Sequence, residues 1–251
     1  MIFRALLLLV VATAAGAQIP LQDRRSGYEF MGKETRAMQD DDATNPAVLW
    51  LLEGETLWGR KEGTSGQSCA DCHGKAEESM RGAAARHPAV DPSKKVLLNL
   101  DQKINQCRAE RQQAKPLAYE SRELLSLSAY VSRQSRGMPV VPAAGEQARA
   151  SGEALFRRRQ GQLNLACSQC HDDNWGKSLA GNPIPQAHPT GYPLYRLEWQ
   201  GVGSLQRRLR NCMIGVRAEP YVYGSKEFVD LEAYLMWRAR GMKMESPAVR
   251  P

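Results

Sequence analysis

Beyond its first residues the chain has no apolar run approaching the roughly 20 residues needed to cross a bilayer, so no span is expected in the mature protein. It has no convincing alternation of apolar and polar residues of strand length, which points away from a sheet-built core. Basic and aromatic residues are not interleaved, so the net charge of +7 does not read as a nucleic-acid surface; small anions or acidic protein partners suit it better. Histidine is scarce, with four in 251 residues, and each one must therefore be accounted for.

What is present begins with "MIFRALLLLVVATAAGAQ". One positive charge at Arg4, an apolar run from Ala5 to Ala15 and the small residues Ala15-Gly16-Ala17 form a secretory leader over residues 1–17, with cleavage expected before Gln18 and export to the periplasm. The apolar run is too short for a membrane anchor. Loss of Arg4 leaves a net charge of +6 on about 230 residues, enough for two small domains.

The chain repeats itself. "CADCH" (Cys69 to His73) returns as "CSQCH" (Cys167 to His171), 98 residues later. "ELLSLSAYVSRQSRGM" from Glu123 returns as "EFVDLEAYLMWRARGM" from Glu227, 104 later, sharing Glu, Leu, Ala, Tyr, Arg, Gly and Met in register. Between these landmarks Cys107 and Cys212 match at an offset of 105. Leu124, Leu127 and Val131, and Phe228, Leu231 and Leu235, fall at i, i+3 and i+7, so each shared window is an amphipathic helix, closed by Gly137 or Gly241. The expected fold is mainly α: two tandem haem domains of one design, residues 46–140 and 141–251. They follow a polar arm, 18–45, with a Pro/Gly-rich linker at 138–147 and a loop at 181–193.

C-x-x-C-H is the attachment signature of c-type haem. Two thiols one helical turn apart add to the porphyrin vinyl groups, and the adjacent imidazole reaches the iron. Two covalent haems are therefore expected, on Cys69 and Cys72 and on Cys167 and Cys170, with His73 and His171 as axial ligands. A bare C-x-x-C would instead read as a redox disulfide or half a zinc site.

Cys107 and Cys212 remain. A disulfide between them suits an oxidising compartment. Against that, each holds the same place in its own unit, where a small cytochrome presents its sixth ligand, so the repeat favours one axial thiol per haem. Methionine is the usual competitor; Met138 and Met242 occupy matching places but read as packing or solvent-facing residues. His87 and His188 have no matching positions and read as loop residues, with His188 also placed to line a substrate pocket. Arg207, Arg208, Arg210 and Arg217 surround Cys212, favouring thiolate and an oxyanion ligand. Arg208 stands one turn before Cys212 on the same helix face, while Arg207 and Arg210 read as solvated.

With both CxxCH motifs, a lone cysteine after each and "CMIGVRAEPY", the chain resembles the SoxA family of sulfur-oxidation cytochromes over nearly its whole mature length. The resemblance implies an L-cysteine S-thiosulfotransferase subunit that joins thiosulfate oxidatively to a cysteine of a SoxYZ-type carrier, with a small SoxX-type cytochrome completing the site. It implies Cys212 as axial ligand and catalytic persulfide carrier, Arg208 as substrate-binding residue and Cys107 as axial ligand of the first haem. Other readings of the same residues are a thiosulfate dehydrogenase forming tetrathionate, a dihaem electron carrier without a substrate, and a dihaem peroxidase.

Overall fold

The computed structural model describes residues 19–251, so the leader expected over 1–17 lies outside the described residues. Residues 19–45 fold as two 3-10 turns and helix α1 (Lys33–Asp40). The first unit then runs α2 (Val48–Gly59), α3 (Cys69–His73), α4 (Ala76–Ser79), α5 (Ala83–Arg86), a hairpin of β1 (Ala89–Val90) and β2 (Leu97–Leu98), α6 (Leu100–Cys107) and α7 (Arg122–Arg133). The second unit has α8 (Glu146–Arg157), α9 (Cys167–His171), β3 (Ser178–Leu179), β4 (Asn182–Pro183), β5 (Leu194–Arg196), β6 (Gly201–Gly203), α10 (Leu205–Gly215), α11 (Lys226–Arg238) and β7 (Ala248–Arg250).

The repeated windows are α7 and α11. Ser121 and Ser225 cap them, each hydroxyl accepting from the backbone N–H three residues on, at Leu124 and Phe228. Their apolar stripes, Leu124–Leu127–Val131 and Phe228–Leu231–Leu235, are all buried. Both helices end a few residues earlier than the glycines expected to close them; Gly137 and Gly241 take φ of 79° and 81° in the turns that follow. In each unit the first helix crosses the last, α2 on α7 and α8 on α11.

The two units meet through equivalent residues. Pro139 bridges antiparallel to Lys243, its own repeat partner, while Val140 N–H donates to Met242 O at 2.8 Å and Met244 N–H to Met138 O at 2.9 Å. Tyr119 stacks on Tyr223, again its counterpart, with centroids 5.7 Å apart. Elements that pair with their own repeats are related by a local twofold axis.

Two features depart from the sequence expectation. The arm is integrated into the fold: Arg24 donates to Arg240 O, Arg25 N–H donates to Gln186 Oε1, and Gln39 is buried against Val249 N–H. A three-stranded sheet also forms, with β5 antiparallel to β6 and parallel to β7. Strands of three residues are too short to display a period of two.

Candidate active site

The two CxxCH motifs form one-turn helices. Ser68 and Asp71 cap α3 reciprocally, at 3.0 and 2.8 Å, and Gln169 Oε1 accepts from Ala166 N–H at 2.9 Å at the start of α9. The helical turn brings both cysteines of a motif to one side, with the histidine following. His171 is enclosed, its Nδ1 2.6 Å from Pro185 O. As a donor there, Nδ1 leaves Nε2 free to ligate, and burial lowers the ring's pKa so that it is neutral. Phe156 packs 6.4 Å from this ring, and in the first unit Trp58 packs 5.7 Å from His73. Burial pushes the thiol of Cys167 up to about 11 and raises those of Cys69 and Cys170.

All six cysteines are free, and no bond joins Cys107 to Cys212. Each lone thiol sits within electrostatic reach of the pair in its own unit, Cys107 of Cys69, and Cys212 of Cys167 and Cys170. Cys107 closes α6, where the helix widens into a π turn, Arg108–Gln112, and Gln112 Nε2 lies 3.9 Å from Cys69 Sγ. Cys212 lies within α10. In the second unit the imidazole of His171 and the thiol of Cys212 front one cavity of about 170 Å³, with Arg208 beside them and Leu205, Leu209 and Leu235 forming apolar walls.

The arginines on α10 separate by their partners. Arg207 lies 4.3 Å over the Trp199 ring and 4.0 Å from Glu120, and Arg210 lies 4.7 Å over Tyr223 while donating to Tyr221 O. Both are therefore docked on aromatic faces, not solvated as the sequence suggested, because each ring offers a cation–π seat. Arg217 is in the left-handed turn after α10, with φ of 57°. The Arg208 side chain makes no hydrogen bond or ion pair with any described residue and lines the cavity.

Three cavity residues carried no signal in the repeat. Arg196, on β5, has a side chain only 13% exposed. Tyr192 precedes that strand and its phenol is pushed up to about 12 by burial. Met31 comes from the arm. His188 also lines the cavity, with Nδ1 2.9 Å from Arg25 O. Met242 packs with Met236, Met244 and Val140 between the units, away from this cavity, and Met138 lies near Gly82. His87 is half-buried, its Nδ1 2.8 Å from Ala83 O.

Two CxxCH helices, each enclosed by a crossing pair of terminal helices, define a tandem c-type cytochrome. The donor sets fit the group that this class holds: adjacent thiols for attachment, an imidazole and a further thiol in each unit, with the imidazole of His171 neutral, oriented through Nδ1 and sharing one cavity with Cys212. The sequence profile described as SoxA/TsdA, cytochrome c domain, matches residues 53–140 and 151–244, and the chain belongs to that family. It is 35% identical over 246 residues to the L-cysteine S-thiosulfotransferase subunit SoxA of Pseudaminobacter salicylatoxidans, an alignment covering 96% of this chain and 86% of that protein. The corresponding subunit of Paracoccus pantotrophus is 34% identical over 228 residues, covering 90% and 78%. The crystal structure of SoxXA from P. pantotrophus superposes with a TM-score of 0.88 at 33% identity, covering 91% of this chain and 87% of that one.

Proposed function

We propose that this chain is the larger, SoxA-type subunit of an L-cysteine S-thiosulfotransferase, exported to the periplasm after cleavage before Gln18. It would hold two covalent haems c, one by Cys69, Cys72 and His73 and one by Cys167, Cys170 and His171, with Cys107 and Cys212 as the further thiol donor of each site. A small SoxX-type cytochrome is its partner, and a SoxYZ-type carrier delivers the acceptor cysteine. The observation that carries this reading is the meeting of Cys212, Arg208 and His171 at one partly apolar cavity.

The net reaction joins the sulfane sulfur of thiosulfate to a carrier thiolate. One S–S bond forms, a cysteine S-sulfonate persulfide results, and two electrons leave. Haem c, when bound, supplies the one-electron acceptors. Arg208, whose side chain is unpaired among the described residues, neutralises and orients the sulfonate as a planar fork can. Cys212 Sγ, one turn further along α10, then forms an S–S bond to the outer sulfur as the two electrons leave, holding it as an S-sulfonate persulfide. Attack of the carrier thiolate on that sulfur moves the whole group to the carrier and frees the Cys212 thiolate. Leu205, Leu209 and Leu235 keep water from the reacting sulfurs.

Peptide mass analysis of Cys212 after exposure to thiosulfate tests this. Thiosulfate-derived sulfur on that thiol, as the S–S–SO3 adduct or as the persulfide left when the sulfonate is lost, supports the assignment; a Cys107–Cys212 bridged peptide would refute it. Intact mass of the mature protein should exceed the apo mass by two haems. Because the matching profile spans SoxA and TsdA alike, the assay should also follow tetrathionate. Its formation from thiosulfate alone, with no carrier required, would reassign the chain as a thiosulfate dehydrogenase.

A further inference from the structure

Arg208 is not the only guanidinium at the cavity. Arg196 reaches it from β5, and burial first, then the nearby charge of Arg208, depress Arg196's affinity for its proton. Arg196 has one acidic neighbour, Glu198, whose Oε2 lies 3.0 Å from Nε, but that carboxylate is 60% exposed and off the hydrogen-bonding direction. The buried Nε thus has no hydrogen bond, the guanidinium lies 5.4 Å over the Trp199 ring, and its terminal nitrogens donate to no described residue. The Tyr192 hydroxyl, under the influence of Arg208, Arg196 and Cys212, also has no hydrogen-bond partner among the described residues. Arg250, the third arginine at this cavity, is already held by Glu245 and Gln39. Two guanidinium groups and a phenol therefore face a half-enclosed space in which the Glu198 ion pair, made outside the cavity lining, is the one internal anion against either arginine among the described residues, and the buried Arg196 Nε left without a hydrogen bond is costly.

We propose that Arg196 and Tyr192 form an oxyanion-holding pair in the cavity wall, separate from Arg208, that takes a carboxylate or sulfonate group. A haem propionate and the sulfonate of thiosulfate share this chemistry; the second source rests on the functional reading above. An oxyanion group seated between β5 and the Tyr192 turn would receive a charged fork from one side and a phenolic O–H from the other.

The test uses the haem-loaded full chain, wild type, Arg196→Gln and Tyr192→Phe, with two readouts. These are calorimetric binding of thiosulfate and a spectroelectrochemical titration of the haem. If the anion is the sulfonate, Arg196→Gln weakens thiosulfate binding by about tenfold to a hundredfold, the loss of a charge-assisted hydrogen bond, and leaves the potential unchanged. If it is the propionate, thiosulfate binding holds and the potential of one haem falls, since a positive charge that favours the reduced form is gone. Tyr192→Phe keeps the ring and its packing, and should move the same quantity in the same direction by a smaller factor. Unchanged binding and unchanged potential in Arg196→Gln, with an intact haem spectrum, overturn the proposal. If Arg196→Gln does not load haem, unchanged values in Tyr192→Phe decide against it. A wild-type chain that ignores thiosulfate while Arg196→Gln still lowers the potential would sink the functional reading and leave the anion pair standing.

Discussion

Arg208 and Arg210 lie two residues apart on α10 and face different surroundings. The Arg208 side chain has no hydrogen-bond or ion-pair partner among the described residues and borders the cavity, whereas Arg210 is stacked on Tyr223 and donates to Tyr221 O. Arg208→Ala should therefore reduce thiosulfate-dependent turnover by roughly tenfold or more, with the thermal midpoint little changed. Arg210→Ala should leave turnover within about twofold but cost about 1 kcal/mol of stability through the lost stack and hydrogen bond. Steady-state kinetics and thermal denaturation of the two variants, side by side, separate the roles; equal kinetic losses would show that α10 acts only as a general positive surface. The contrast was half legible in the sequence. Helical spacing placed Arg208 with Cys212, but nothing in a one-dimensional pattern shows that Trp199 and Tyr223 wait beside Arg207 and Arg210. Arg196 left no trace at all: the strand pairing Ala89–Leu98 returns as Leu194–Gly203, which puts Asp91 at its place in the first unit, and Arg196 acts across a cavity from another element.

At the scale of elements, duplication is written in backbone contacts as well as in motifs. A Cβ on Gly54 would stand 2.2 Å from Ser126 O, and one on Gly152 2.0 Å from Asp230 O, so each first helix touches its last helix backbone to backbone at one glycine. Gly152→Ala should lower stability by about 1–3 kcal/mol through overpacking, and the loosened crossing should reduce haem incorporation because Phe156 on α8 packs against His171. Pyridine haemochrome content against protein concentration, with thermal denaturation, measures both; an unchanged midpoint would mean that α8 and α11 can slide apart freely. The change of repeat offset also has a local cause. Cys107 to Gln112 is five residues and Cys212 to Val216 four, yet Gln112 O and Val216 O both lie where a Cβ on Gly63 or Gly161 would come within 2.1 Å. The π turn after Cys107 absorbs the extra residue, so the offset of 105 at the cysteines returns to 104 beyond it. Helices of twelve or thirteen residues announced themselves through apolar spacing, and the motif helices through their chemistry; strands of two or three residues had neither.

The whole molecule is organised about the local twofold axis, and its centre is polar. Asp101 on α6 accepts from Ser128 on α7; in the other unit their equivalents exchange chemistry, with Gln206 on α10 donating 2.6 Å to Glu232 on α11. Asn99 of the first unit also donates to Glu232, at 3.1 Å, so this carboxyl ties the two halves together. Burial pushes Glu232 up to about 8 and Asp101 up to about 6. The sign follows from linkage: an unfolded glutamate ionises near its ordinary value of about 4.3, while the folded one keeps its proton until about pH 8. The fold therefore binds the extra proton, and Glu232 lowers stability progressively as pH rises from about 4.3 to about 8. Glu232→Gln retains an acceptor for Gln206 and Asn99 and has no charge to acquire. Its thermal midpoint, relative to wild type, should be near or below parity at pH 5 and should climb steadily through pH 8. A difference that stays flat across that range would mean that the carboxyl is already ionised within the interface, held there by its two amide donors. The units would then be joined across a buried charge instead of a neutral hydrogen-bonded acid.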